Sequence, residues 1–320
     1  MGFSLQEHRI LSSHDFRHST DKLSMTVRFF VNRGENLQGP EDEYPTEVTA
    51  DQYQQLADAV DVLEALWAIE EYYDSLLRNA VDLRSQIARY EAERCVFVSS
   101  PQRDQDTEIR NLNRLFGNFL FTARAFVDGI KVRLGQVPSL KHKSKQFNAL
   151  LSEQFDTYFS YRFMDALRNY TQHHGIAIHQ TLTWLRDMTA SDGSVTRVLS
   201  VALQIDRDQL LGSGKLKAGI RNEIKETCSE MIDLLPHLTV YVECFGRTII
   251  NTRQLFAEEY EAALQSQKLI LKRHLIGEWS HVLITPSPAV VDPAYLSIDT
   301  HLLRRLRDIR YLNYAQAPST

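Results

Sequence analysis

Cysteine is scarce: Cys95, Cys228 and Cys244 are the only three in 320 residues, and they stand far apart with no CxxC pair. Thiols spread so widely build no disulfide framework, and with the eleven histidines they form no familiar zinc spacing. Buried free thiols in a reducing compartment are the expectation. Uncharged apolar runs long enough to span a bilayer are also missing, so no membrane contact is expected. The opening MGFSLQEHRI has no apolar core flanked by basic residues, which argues against a secretory leader. Gln6 stands where a myristoylation motif wants Ser or Thr. A cytoplasmic location follows as the expectation. No repeat at a fixed period and no low-complexity tract is found, which excludes solenoids and arrays.

Positive charge is in deficit as well. The net charge is -5, so the chain is no bulk polyanion binder, and any nucleic-acid contact must come from a local patch. What is present is an ordinary globular balance. Hydrophobic residues make up 43% and charged residues 24%, which excludes a disordered or fibrous chain.

Residues 1–48 form a mixed region. Met25–Asn32 is rich in β-branched and aromatic residues and reads as a short strand, followed by a turn-rich loop, NRGENLQGPEDEYP. A long amphipathic helix is predicted from Thr49 or Asp51 to about Arg94, because Leu56, Val60, Leu63 and Trp67 recur at helical spacing and the stripe continues from Ile69 to Tyr90. A second helix runs from about Thr107 to Leu134, stopped by Gly135 and Pro138. Further helices are expected over Lys143–Thr157 and Ser160–His174, with Gly175 as the cap. The period then changes to two between Ile176 and Met188 and again between Leu199 and Ile205, with Asp192-Gly193 between them. That pattern predicts a β-hairpin over about 176–206. Helical pattern resumes over Lys215–Leu235 and Pro236–His274. Then come an extended Thr285–Pro293 and a basic last helix, Ala294–Tyr311, with Arg304, Arg305, Arg307 and Arg310. The organisation read from this is an N-terminal region at 1–48, one mainly α-helical domain at 49–311 with the hairpin inserted, and a tail at 312–320.

Most chemical signatures fail. The segment LLGSGKL lacks a glycine five positions before Gly214 and has no Ser or Thr after Lys215, so it is no phosphate-binding loop. HExxH, GxGxxG and GxSxG are absent. One dense polar cluster remains, Arg168-Asn169-Tyr170-Thr171-Gln172-His173-His174-Gly175. On a helix Asn169 and His173 are neighbours, as are Arg168 and Gln172. A long arginine and an imidazole near one helix end can serve phosphate chemistry. The guanidinium holds phosphoryl oxygens and the histidine moves a proton near neutral pH. Helix ends also carry such residues merely for capping and solvation. This run of polar residues is longer than a cap needs, and it stands at a junction between helix and strand.

The cluster resembles the signature of the HEPN superfamily (higher eukaryotes and prokaryotes nucleotide-binding): an arginine, a polar residue after it, and a histidine beyond four to six intervening residues. Four residues separate Arg168 from His173 and five separate it from His174, so both histidines satisfy the spacing. His173 is favoured because it shares a face with Asn169. The resemblance covers the motif and the long helices before it, about residues 50–175. It implies an antiparallel helical bundle that pairs as a homodimer. It further implies a metal-independent endoribonuclease, without cofactor, in which the RNA 2′-hydroxyl attacks the adjacent phosphate. Arg168, His173, Asn169 and His174 are the candidate catalytic residues, and toxin or phage-defence effector is the implied role, with a neutralising or activating partner protein. Gly175 stands where one subgroup carries a tyrosine modified by a partner nucleotidyltransferase, which puts control by that route in doubt. Two alternatives stand beside this: a non-catalytic module that binds nucleotide or RNA in the same cleft, and a helical scaffold.

Overall fold

The computed structural model describes residues 25–30, 43–46, 50–96, 105–173, 175–189, 191–214, 216–270, 281–286, 296–299, 306 and 309. For 25–30, 43–46, 50, 186, 196, 197, 270, 281–286 and 296–299 it describes the backbone only. The backbone of this mainly helical chain divides into two compact units.

One unit draws on Met1–Glu70, Val132–Ser144 and Leu255–Leu312. Its sheet has the order β2-β1-β6-β7, from β1 (Met25–Phe30), β2 (Glu43–Thr46), β6 (His281–Pro286) and β7 (Leu296–Asp299), all antiparallel. The expected N-terminal strand is therefore present, but its partners come from segments read differently. Glu43–Thr46 lies largely in the predicted loop, and Leu296–Asp299 lies in the predicted last helix. Sheet pairing overrides local propensity there, β2 joining β1 as in Val27↔Tyr44 and β7 joining β6 as in Leu283↔Ser297, while β1 and β6 meet from opposite ends of the chain, as in Thr26↔Thr285. Leu306 and Ile309 are helical, while Arg304, Arg305, Arg307 and Arg310 lie outside the described residues. The same unit holds the start of α1 (Ala50–Val96), the last turn of α2 (Gln105–Gln136), the short α3 (Pro138–Lys141) and α9 (Ala257–Ile270). Lys143 ties it internally, donating from Nζ to the Leu255 carbonyl at 2.7 Å and pairing with Glu259 at 2.6 Å.

The other unit draws on Glu71–Lys131 and Lys145–Gln254. It contains the rest of α1 and α2, with α4 (Ser144–Thr157), α5 (Phe159–His173), the strands β3 (Gln180–Thr189) and β4 (Val195–Asp206), α6 (Arg207–Gly212), α7 (Ala218–Thr227), β5 (Met231–Asp233) and α8 (Leu234–Leu255). The predicted stripes of α1 and α2 are buried: Tyr73, Leu76 and Leu83 from the first, Phe116, Phe119 and Phe126 from the second. They meet an aromatic cluster from α5 and α8, with ring centroids 5.1 Å apart for Tyr161 and Tyr241 and 5.2 Å for Phe126 and Phe245. Tilted and edge-on rings of this kind add to the area buried.

The hairpin forms as the period of two predicts. β3 and β4 pair from Gln180↔Gln204 to Thr189↔Val195. At the turn the Asp192 carboxylate accepts the Ser194 N–H at 2.9 Å, and Gly193 takes a φ of 82°. Two helical expectations need correction. The helix predicted over Lys215–Leu235 ends at Thr227, and Met231–Asp233 leaves it to pair with β4. Arg207 fixes that departure, its N–H bound to the Glu230 carbonyl at 2.9 Å and its guanidinium to the Cys228 carbonyl at 3.1 Å. The helix predicted over Pro236–His274 is two helices that break at Phe256, and 271–274 lie outside the described residues.

Candidate functional site

The predicted cluster sits on the last turns of α5. Tyr161, Phe163, Met164, Ala166, Leu167 and Tyr170 bury one side of this helix, which leaves the positions of Arg162, Asp165, Asn169 and His173 as a polar stripe on another. A single residue, Tyr158, separates α5 from α4. Arg162 locks that corner. Its Nη1 donates to the carbonyls of Phe155 and Asp156 at 2.6 and 2.9 Å, which satisfies the last turn of α4. The rest of its guanidinium grips Glu223 of α7 in a bidentate pair, and this hydrogen bond to Glu223 holds its proton more firmly than usual.

Between α5 and the segment from Leu216 through α7 lies an open cavity of about 1130 Å³. Ala166, Leu216, Ile220 and Phe155 supply its apolar wall. Asn169 and His173 line it together, one turn apart, as helical spacing predicts. His173 is the last residue of α5 and is exposed. Arg168 is not a lining residue: its azimuth lies off the stripe, and it is one of the charges acting on the Tyr241 phenol in the helical core. Burial pushes that phenol far above its ordinary range. Arg168 has a side chain only 15% exposed. Its Nη1 reaches Gln172 at 3.3 Å and its Nη2 reaches Asp165 at 3.7 Å, both long contacts. Its Nε is buried with no hydrogen-bond partner. His174 lies outside the described residues.

No family model matches this chain, and no curated protein or solved structure is significantly similar to it. The site has therefore to be read from its own chemistry.

The segment that leaves α5 is held by a side chain that acts as a strand partner. Asn113 of α2 donates to the Ile178 carbonyl and accepts the Ile178 N–H, both at 2.8 Å. His179 follows, its Nδ1 accepting the Asp206 N–H at 3.1 Å, so that nitrogen carries no proton of its own. His179 is thus engaged in structure, and among the described residues His173 is the histidine left facing solvent at this end of the helix. The charge of the cavity wall is mixed, with Asp165, Glu223 and Glu226 against Arg162 and Lys217. Because Glu223 neutralises Arg162, the wall is acidic on balance. Among the described residues, no three His, Cys, Asp or Glu side chains gather to hold a metal ion, and no helix is long and apolar enough to cross a membrane.

Reasoning from sequence missed Arg162, Asp165, Glu223 and Asn113. The first two were within reach, since Arg162, Asp165, Asn169 and His173 follow one another at steps of three, four and four. Glu223 and Asn113 are 61 and 65 residues from the groups they hold, and no local pattern signals them.

Proposed function

We propose that the C-terminal end of α5 is a ribonuclease site in which Arg168 and His173 carry the chemistry. The observation behind this reading is that α5 carries an exposed imidazole, His173, five residues after the Arg168 guanidinium, whose hydrogen bonds are long or missing. A buried donor without a partner is costly, and a phosphate oxygen is the kind of acceptor that would complete it. In the proposed step His173 takes the proton from an RNA 2′-hydroxyl, and the 2′-oxygen attacks the adjacent phosphorus. The bond from phosphorus to the 5′-oxygen breaks, that oxygen takes up a proton from water, a 2′,3′-cyclic phosphate is left, and His173 returns its proton to the solvent. Arg168 would stabilise the extra negative charge on the phosphoryl oxygens, and Asn169 would orient the imidazole or hold an oxygen. His174 is the alternative base by spacing. No step calls on a metal or other cofactor. The HEPN resemblance of the motif supports the same reading, with a homodimer, an RNA-restricting role as toxin or phage-defence effector, and a regulatory partner protein.

The cavity beside α5, which Asn169 and His173 line and Arg168 does not, favours a second reading, a module that holds a nucleotide or RNA there without cutting it. One assay separates the two: cleavage of mixed RNA in excess EDTA by the wild type, Arg168→Ala and His173→Ala. The ribonuclease reading expects cutting by the wild type alone, with loss of at least about 100-fold in each variant. Binding by the wild type, weakened in His173→Ala, with cutting by none of the three would support the module.

A further inference from the structure

The cavity beside α5 is lined from two helices, each of which presents a polar pair one turn apart. On α5 the pair is Asn169 and His173, and on α7 it is Asn222 and Glu226. None of these four side chains has a hydrogen-bond or ionic partner among the described residues. Of the three described carboxylates in the lining, Glu223 is held by Arg162 and Asp165 leans on Arg168 at 3.7 Å, which leaves Glu226 free. Of the two described cations in the lining, Arg162 is bound to Glu223, and Lys217, the N-cap residue of α7, is free. Phe155 adds a ring. It is large and apolar yet 40% exposed, and Arg162 holds its carbonyl at 2.6 Å. An apolar wall, an exposed ring, an acceptor and a donor are together what an unstacked nucleobase needs.

The polar groups select among the bases. An ionised carboxylate only accepts hydrogen bonds, and an ammonium only donates them. Guanine alone of the four RNA bases carries two donors side by side, N1–H and the N2 amino group, which one carboxylate accepts as a bidentate pair. On its other edge, O6 and N7 are two neighbouring acceptors that suit an ammonium or an amide N–H. We propose that this cavity takes a guanine base of the RNA. Phe155 stacks on the base, Glu226 accepts from N1–H and the N2 amino group, and Lys217 and Asn222 donate to O6 and N7. The assignment rests on the reading that the cavity holds RNA, whether or not that RNA is cut. A volume of about 1130 Å³ exceeds the roughly 300–1,000 Å³ of sites for one small ligand, which suits a base held as part of a longer chain. The acidic balance of the wall also disfavours a free nucleoside triphosphate, whose charge would have to enter with its base.

The test is binding of the full chain to labelled pentanucleotides with a central guanine, adenine, cytosine or uracil flanked by uridines. All carry fluorine in place of the 2′-hydroxyl, so none can be cut. The guanine oligonucleotide should bind about tenfold or more tightly than the other three. Hypoxanthine at the centre lacks the N2 amino group and should lose most of that preference. Glu226→Gln should bind the guanine and hypoxanthine oligonucleotides alike. The change is at an exposed position, so far-UV circular dichroism should stay at the wild-type level. Phe155→Ala should weaken all the oligonucleotides by a similar factor. Equal binding of the four bases would overturn the guanine assignment and leave the RNA reading standing. So would a guanine preference that Glu226→Gln leaves intact. Guanosine monophosphate bound as tightly as the guanine oligonucleotide would overturn the assignment to a base within RNA. Binding of none of these probes would overturn both the assignment and the reading it rests on.

Discussion

Asn113 gives the most quantitative test of how the site is held. Its amide makes two hydrogen bonds of 2.8 Å to the backbone of Ile178, a residue with a fully buried side chain, and a third, at 3.0 Å, to the Ile109 carbonyl. Asn113→Ala leaves an N–H and a C=O at Ile178 without partners in an interior position. Each such group costs about 1–3 kcal/mol, so after partial relaxation the expected loss is about 2–4 kcal/mol. With a urea dependence on the order of 2 kcal/mol per molar, the unfolding midpoint should fall by roughly 1–2 M. Asn113→Asp sharpens the test. The carboxylate can still accept the Ile178 N–H but turns a second acceptor towards the Ile178 carbonyl, so at neutral pH it should lose at least as much as the alanine. Below the ordinary carboxylate range a protonated Asp can donate again, and part of the loss should return. Ile178 lies five residues beyond His173, so a slack clamp should also lower any activity of the site. An alanine variant within about 0.5 kcal/mol of wild type would refute the clamp.

Two glycines of α2 should answer oppositely to alanine. Gly117 has only Phe121 within 4.0 Å of an added Cβ, so Gly117→Ala should gain up to about 1 kcal/mol of helix propensity. At Gly129 the Cβ would fall 2.3 Å from the Tyr72 ring, so Gly129→Ala should lose about 1–3 kcal/mol, and Tyr72→Ala should relieve that loss. The two signs are read from urea midpoints, and equal effects would contradict the packing. His237, hydrogen-bonded to Ser160 at 2.9 Å and packed on Phe163, resists protonation because it is buried. The unfolded chain therefore binds more protons as pH falls through about 6.5, and this residue lowers stability as pH drops below that value. His237→Gln should flatten the fall between pH 7.5 and 5.5. An unchanged slope would mean that other groups set it.

The helices and the hairpin were legible because their signals are local. The stripe from Leu56 to Tyr90 and the change of period after Gly175 each fit inside one element. The four-stranded sheet was not legible, since β1 and β6 pair across most of the chain and β7 lies in a stretch that reads as helix. The same holds for Met231–Asp233, which follows helical pattern but is captured by β4. Within the site, Asn169 and His173 share the cavity that their spacing of four predicts, whereas Arg168, one position earlier, leans towards Tyr241 instead. The clamp by Asn113 and the anchor from Arg162 to Glu223 were invisible because a side chain that satisfies a distant group looks, in sequence, like any polar residue.

The central claim, that Arg168 and His173 cut RNA, is met most directly by one experiment. Purified wild type, Arg168→Ala and His173→Ala are incubated with mixed RNA in excess EDTA, and the ends of the products are identified. Cutting by the wild type alone, leaving 2′,3′-cyclic phosphate and 5′-hydroxyl ends, is the predicted result. Cutting that both folded variants retain, or that stops when divalent metal is removed, would contradict it.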